Sequence, residues 1–229
     1  MNYILNIHTT AEKAIVNISD GDRVLATSTN SEQKEHASFL HIAIKKILQD
    51  NDIAINDLKA IGVTAGPGSY TGIRVGLATA KGLCFALKIP MMMLNSLELM
   101  AFSAIEDLPE IDNETAFCPM IDARRMEVFT AVYDQKLHEI KAPSALILNE
   151  NSLDEPASGR SLYYFGSGAE KFKKLVEGRS ANLHYILSDI SSQALAKFSR
   201  NKFQKNDFEN IIKAQPLYVK EFYTTAKIK

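Results

Sequence analysis

Residues 65–72, Ala-Gly-Pro-Gly-Ser-Tyr-Thr-Gly, set three glycines and a proline just ahead of a helix-like stretch. Such a loop brings backbone N–H groups and a helix dipole to one point, an arrangement that suits an anion such as a phosphate. It is read in two ways: a tight structural turn, or an anion site built on Gly66, Gly68, Ser69 and Gly72. It is not a G-x-x-x-x-G-K-[ST] phosphate loop, and Thr71 stands where the third glycine of G-x-G-x-x-G would be. Ser69 is not a nucleophile elbow either, because Pro67 and Thr71 occupy the positions that G-x-S-x-G gives to glycine.

Three further groups carry chemistry. Asp122-Ala123-Arg124-Arg125 places one carboxylate and two guanidiniums in a turn between two strand-like runs. It reads as a braced hairpin or as a contact for carboxylate or phosphate. His36 and His41 lie five residues apart on one predicted helix, about 140° around its axis, so they cannot share a metal. From Leu195 to Lys229 there are eight Lys or Arg against three Asp or Glu, with six aromatic residues interleaved. That pattern fits a solvated helix face with a tail, or a surface for nucleic acid.

These groups are held by elements whose pattern is legible. Tyr3–Ile7, Ala14–Ile18 and Val24–Thr27 read as strands, with a hairpin turn at Asp20-Gly21-Asp22. Glu32–Gln49 reads as an amphipathic helix, Lys59–Val63 as a strand, and Gly72–Leu87 as a helix. Ile89–Leu94 is a strand that Pro90 assigns to an edge, and Ser96–Ile105 is a helix capped by Asn95 or Ser96. After an acidic break at Glu106–Glu114 the pattern restarts. Strands are predicted at Phe117–Ile121, Glu127–Tyr133, Leu137–Ile140, Ala145–Leu148, Leu162–Phe165 and Leu183–Ile186, the fifth ending in Gly166-Ser167-Gly168. Helices follow at Ala169–Val176, Ser191–Arg200 and Phe208–Ile212, and Pro216–Val219 is extended. The expected domains are a lobe over residues 1–108 and a second over 109–229, whose tail is free to pack back on the first.

The helix from Gly72 is apolar nearly all round, with small residues in two stripes: Gly72, Gly76, Ala80 and Ala78, Gly82, Ala86. A surface helix keeps a polar face, and each interior glycine costs about 1 kcal/mol against alanine. One side is expected to cover the helix's own sheet and the other to meet a second lobe or a second protein.

The 229 residues, 46% of them hydrophobic, are ample for a core. A net charge of −1 gives no global field toward nucleic acid or anionic membrane. No run is long enough to span a bilayer, and Met1–Ile7 shows no basic leader ahead of an apolar stretch. Cys84 and Cys118, isolated in apolar surroundings, point to buried thiols in a reducing, cytoplasmic setting.

Gly66–Leu83, GPGSYTGIRVGLATAKGL, resembles the signature of the TsaB (YeaZ) family of bacterial tRNA threonylcarbamoyladenosine biosynthesis proteins. Asp122-Ala123-Arg124-Arg125 with Glu127-Val128-Phe129, Gly166–Ala169 and Pro216–Lys220 are similar to further family segments. The resemblance implies a two-lobed actin-like ATPase (ASKHA, ribonuclease H-like) α/β fold of duplicated β-β-β-α-β-α units. It implies no catalytic residue, no metal and no cofactor, with weak or partner-dependent ATP or ADP binding left open. The implied role is to scaffold and activate the catalytic subunit TsaD and to help recruit the ATPase TsaE, with tRNA met indirectly through the complex and a homodimer formed when alone. The partner surface it implies holds Phe39, Ile42, Ala43, Ile73, Gly76, Leu77 and Ala80. The first turn departs from the family's usual Asp-Thr-Ser, reading His8-Thr9-Thr10, and Lys220 stands for the usual Arg. The alternative is an independent small-molecule kinase or ATPase of the same fold, using Gly66–Gly72 or Gly166–Gly168 for phosphates. A peptidase, the third reading, has no nucleophile–base pair to support it.

Overall fold

β1 (Tyr3–His8) is buried along almost its whole length, because strands flank it on both edges and helices cover both of its faces. The computed structural model describes residues 1–32, 36–108, 112, 114–178 and 182–220. β1 pairs antiparallel with β2 (Ala14–Asp20), which turns at Gly21-Asp22 into β3 (Arg23–Asn30). On its other edge β1 pairs parallel with β4 (Leu58–Gly66), which pairs parallel with β5 (Met91–Asn95). The first sheet therefore runs β3-β2-β1-β4-β5.

The second sheet repeats that plan. β6 (Thr115–Asp122), β7 (Glu127–Asp134) and β8 (Glu139–Ile147) form a meander, and β9 (Ser161–Phe165) and β10 (Leu183–Tyr185) continue it in parallel, giving β8-β7-β6-β9-β10. Turns over residues 150–160 stand where the first half places a helix.

The period-2 alternation of the strands divides the apolar side chains into layers. Leu5, Ile7, Val16, Ile18, Ile61 and Val63 face α1 (His36–Gln49) and α2 (Tyr70–Leu87). Ile4, Ile15, Ala60 and Met92 face the opposite way, onto α3 (Ser96–Asp107) and α5 (Ser192–Gln204). Those two helices also bury Phe117, Ala131 and Tyr133 of the second sheet, so they form a shared layer between the lobes. The far face of the second sheet packs on α4 (Ala169–Leu175) and on Leu148, Leu153 and Ala157.

α5 follows the second sheet in sequence yet docks on the first. Gly62 permits this, because a Cβ there would lie 2.4 Å from Ser199 Oγ and 2.9 Å from Asn6 Oδ1. The contact is polar as well: Asn6 Nδ2 donates to Asn17 Oδ1 at 2.8 Å, and Asn17 Nδ2 donates to the Ser192 carbonyl at 2.9 Å. The chain then runs back along the first lobe as a strap. The Glu209 N–H donates to the Met91 carbonyl on edge strand β5, and the Leu217 N–H to the Ala65 carbonyl, at 2.8 and 2.7 Å.

The structure corrects three local expectations. Leu137–Ile140 and Ala145–Leu148 are not two strands, since β8 is one strand that tolerates Pro143 because it is an edge. Phe208–Ile212 is not a helix; its backbone pairs with β5 and turns. The Gly72–Leu87 helix begins two residues earlier, at Tyr70. The break at Glu106–Glu114 falls in part on residues 109–111 and 113, which lie outside the described residues.

Candidate functional site

The glycine loop is packed by the chain itself. A Cβ on Gly68 or Gly72 would strike the carbonyls of Thr10 and Thr9 in the β1–β2 turn, and one on Gly66 would lie 2.7 Å from the Leu217 carbonyl. Two of the loop's donors are used internally too. The Ser69 N–H donates to the Thr10 carbonyl at 2.7 Å, and the Gly72 N–H to the Ser69 hydroxyl at 3.3 Å, an N-cap for α2. Thr9 Oγ1 donates in turn to the Gly72 carbonyl at 2.7 Å. The arrangement locks β1, β4 and α2 together. The second glycine turn is similar: the Gly168 N–H donates to the Met120 carbonyl at 2.9 Å, and a Cβ there would meet Val128.

A cleft of about 660 Å³ opens between the lobes, with His8, Thr10, Ser96 and Met100 on one wall and Gly166, Ser167 and residues 185–190 on the other. His8 is 2% exposed. Its Nδ1 lies 3.3 Å from Thr64 Oγ1 and 3.5 Å from Thr10 Oγ1, which lies 3.0 Å from Ser96 Oγ. The buried polar groups at the base of the cleft are thus hydroxyls and an imidazole, while its carboxylates, Glu12, Glu170 and Asp189, are exposed. Hydroxyls and an imidazole can bind and orient a ligand, but divalent cations such as magnesium call for carboxylates. Among the described residues no group of His, Cys, Asp and Glu could hold a metal ion.

Asp122 lies outside this cleft's lining. Burial alone would raise its carboxyl; hydrogen bonds from Lys171 and from the Arg124 N–H, with the charges of both residues, hold it below the usual carboxylate range. The Asp122 N–H donates to Ser167 Oγ at 3.1 Å, tying the turn to the second glycine turn. Arg124 and Arg125 are both exposed.

The expected partner surface divides. Leu77 and Ala80 are at most 4% exposed and face the chain's own first sheet, as does Ala43 of α1, while Ile73, equally buried, packs against Gly66 at the end of β4. Gly76 shares that inner face: a Cβ on it would come within 2.5 Å of Thr9 Oγ1 and meet Val63 and Ile7. The close approach that Gly76 permits is therefore to the chain's own sheet, and these five residues are not open to a partner. Ile42 is 69% exposed and Phe39 is half-buried. The outward face of α2 carries Arg74, Ala78, Gly82, Phe85 and Ala86, with Phe85 77% exposed. A Cβ on Gly82 would meet nothing within 4 Å. Sequence reasoning omitted Phe85, Ala78 and Gly82 from the candidate surface. Their 100° spacing shows that they share a face, but a helix apolar all round does not reveal which face points inward.

Two five-stranded sheets of the same order, helices between them and a cleft at their junction define a two-lobed actin-like α/β fold. The solved glucomannokinase of Arthrobacter sp. has this fold at a TM-score of 0.50 and 9% identity, covering 90% of this chain and all of that one. YeaZ from Pseudomonas aeruginosa superposes with a TM-score of 0.77 at 22% identity, over 95% of this chain and 100% of that one. Residues 23–227 match the family described as TsaD: tRNA N6-adenosine threonylcarbamoyltransferase. The chain is 31% identical to the tRNA threonylcarbamoyladenosine biosynthesis protein TsaB of Bacillus subtilis over 159 residues, 68% of this chain and 67% of that protein. The chain belongs to the TsaB (YeaZ) family.

Proposed function

We propose that the chain works in tRNA threonylcarbamoyladenosine biosynthesis as a non-catalytic subunit, pairing with a TsaD-like catalytic subunit and holding it in an active arrangement. The observation that carries the pairing is the outward face of α1 and α2. Ile42 and Phe85 are both more than two-thirds exposed, beside Ala78 and Gly82, small residues that let a second helix approach closely. The same face serves a homodimer when the partner is absent. A TsaE-like ATPase engages the composite surface, tRNA is met through the complex, and any ATP or ADP binds weakly or only with the partner present. The lobe division at residues 1–108 and 109–229 belongs to this reading, with α5 and the strap crossing back to the first lobe.

The non-catalytic role is supported by the base of the cleft, where the buried polar side chains are His8, Thr10, Thr64 and Ser96, whereas phosphoryl transfer uses carboxylates for magnesium and base. The cleft itself favours the second reading, an independent kinase or ATPase. Light scattering on the chain mixed with the TsaD-like protein of the same cytosol tests the proposal, alongside an ATPase assay on the chain alone. A one-to-one heterodimer replacing a homodimer, without ATP hydrolysis by the chain alone, is the expected result. A chain that ignores the partner and hydrolyses ATP unaided would establish the second reading. The proposed location is the cytoplasm; no helix among the described residues is long and apolar enough to cross a membrane.

A further inference from the structure

Where the strap crosses from the first lobe to the second, five cationic side chains and two tyrosines form one continuous strip. It starts on α2, where the Arg74 guanidinium lies 3.8 Å from the centroid of the Tyr70 ring and Arg74 Nε donates to Tyr218 Oη at 3.2 Å. Tyr70 and Tyr218 stack with their centroids 5.7 Å apart, each about 40% exposed. Two residues on, Lys220 Nζ pairs with Glu127 at 2.8 Å. The Glu127 N–H donates to the Arg124 carbonyl at 3.1 Å, which closes the turn that displays Arg124 and Arg125. Lys171 pairs with Asp122 at the far end of that turn.

The charge does not cancel. Asp122 and Glu127 neutralise Lys171 and Lys220, but Arg74, Arg124 and Arg125 form no ion pair with a carboxylate among the described residues. A chain whose net charge is −1 thus gathers five cations against two carboxylates on one strip, with Arg124 sharing the field of Asp122 and Lys171. The backbone adds a second, independent observation. Arg124 and Arg125 have φ of +70° and +50°, consecutive left-handed conformations that glycine or asparagine adopts at lower cost. Holding two exposed arginines in that geometry is unfavourable for folding alone, and such outliers concentrate where function needs the side chain.

We infer that this strip is an RNA-binding surface, taking phosphates on Arg124 and Arg125 and an unpaired base against the Arg74–Tyr70–Tyr218 stack. Guanidiniums match phosphate oxygens in pairs of hydrogen bonds. Aromatic and arginine planes are the usual platforms for unstacked RNA bases, which explains why the cations stand beside two tyrosines. The inference rests on the reading that the chain works in tRNA modification, and it makes the chain's contact with tRNA direct. Arg74 stands one turn before Ala78 on the outward face of α2, about 6 Å along the axis, so the strip borders the N-terminal end of the proposed partner face.

The test is binding of labelled bulk tRNA by anisotropy across a salt series, using the full chain alone and mixed with the TsaD-like subunit. The variant is Arg124→Gly with Arg125→Gly, because glycine accepts both backbone conformations and the fold is retained; a thermal melt checks this. The expected result is a fall in affinity of about ten-fold or more, with the slope of log K against log salt reduced by about 2. Arg124→Lys with Arg125→Lys keeps the slope. Unchanged affinity and slope in the glycine variant overturn the inference, as does wild-type chain that adds nothing to tRNA binding in either setting. It is equally overturned if the variant instead loses an acidic protein partner and binds tRNA normally. Pairing with the TsaD-like subunit is read by light scattering on the same samples. Its failure with tRNA binding intact would remove the complex reading and leave the strip standing.

Discussion

The Leu217 N–H donates to the Ala65 carbonyl at 2.7 Å, and the Leu217 carbonyl stands 2.7 Å from where a Cβ on Gly66 would lie. Residues 152 positions apart thus clamp one turn, the turn the sequence offers as a phosphate cradle. Gly66 has a φ of +116°, a conformation open to glycine and costly to other residues. Gly66→Ala is expected to lose roughly 1–3 kcal/mol of stability. Urea denaturation measures it; an unchanged midpoint would mean that the strap does not hold the loop.

Surface and core variants of α1 and α2 separate. Phe85→Glu and Ile42→Glu change exposed positions, so their stability should stay within about 0.5 kcal/mol of the parent while pairing with the TsaD-like subunit is lost. Gly76→Leu drives a side chain into Thr9, Val63 and Ile7 and should cost about 1–3 kcal/mol or more by overpacking. Melting curves beside light scattering distinguish the two. Phe85→Glu that still pairs normally would sink the proposed surface.

Thr9→Val keeps the volume of a buried side chain but deletes the hydroxyl that donates to the Gly72 carbonyl. The expected loss is about 1 kcal/mol. A variant as stable as the parent would show that this bond does not help to lock α2 onto β1.

Burial pushes the Cys84 thiol up to about 12, and does the same for Cys118, against which a hydrogen bond with Thr130 works only in part. Neither should react with a thiol reagent at pH 8 in the folded chain, and both should react in urea. Because the folded values are raised, the associated stability is fully present below the ordinary thiol value of 9.0 and is lost as pH climbs toward about 12. Tyr133, raised by burial and by Glu98 and Glu139, adds to the same alkaline loss. Stability measured from pH 8 to 11 should fall, and fall less when both cysteines are alanine.

Hydrogen exchange offers a check on the strap. The Leu217 and Glu209 amides bond to Ala65 and Met91 of the first sheet. Each should exchange more slowly than the exposed Lys213 amide, which bonds within a turn. Equal rates at all three would place the strap off the sheet.

The sequence by itself determined most of the strands and helices and the repeated run of three strands in each half, but not the single span of β8 or the extended backbone at Phe208–Ile212. Period-2 and period-3.6 patterns are local properties, and Asp20-Gly21-Asp22, Ser69 and Asn95 mark their boundaries with local hydrogen bonds. It also determined that α2 has two apolar faces. Tertiary structure alone decided which face turns inward, because Gly76 and Gly82 look alike until Thr9 lies beneath one and nothing lies over the other. It decided the fate of the glycine loop as well, filling it with the carbonyls of Thr9, Thr10 and Leu217. And it assembled Tyr70, Arg74, Tyr218, Lys220 and Arg124 into one strip from positions up to 150 residues apart, a proximity that follows from α5 docking over Gly62 and not from any local pattern.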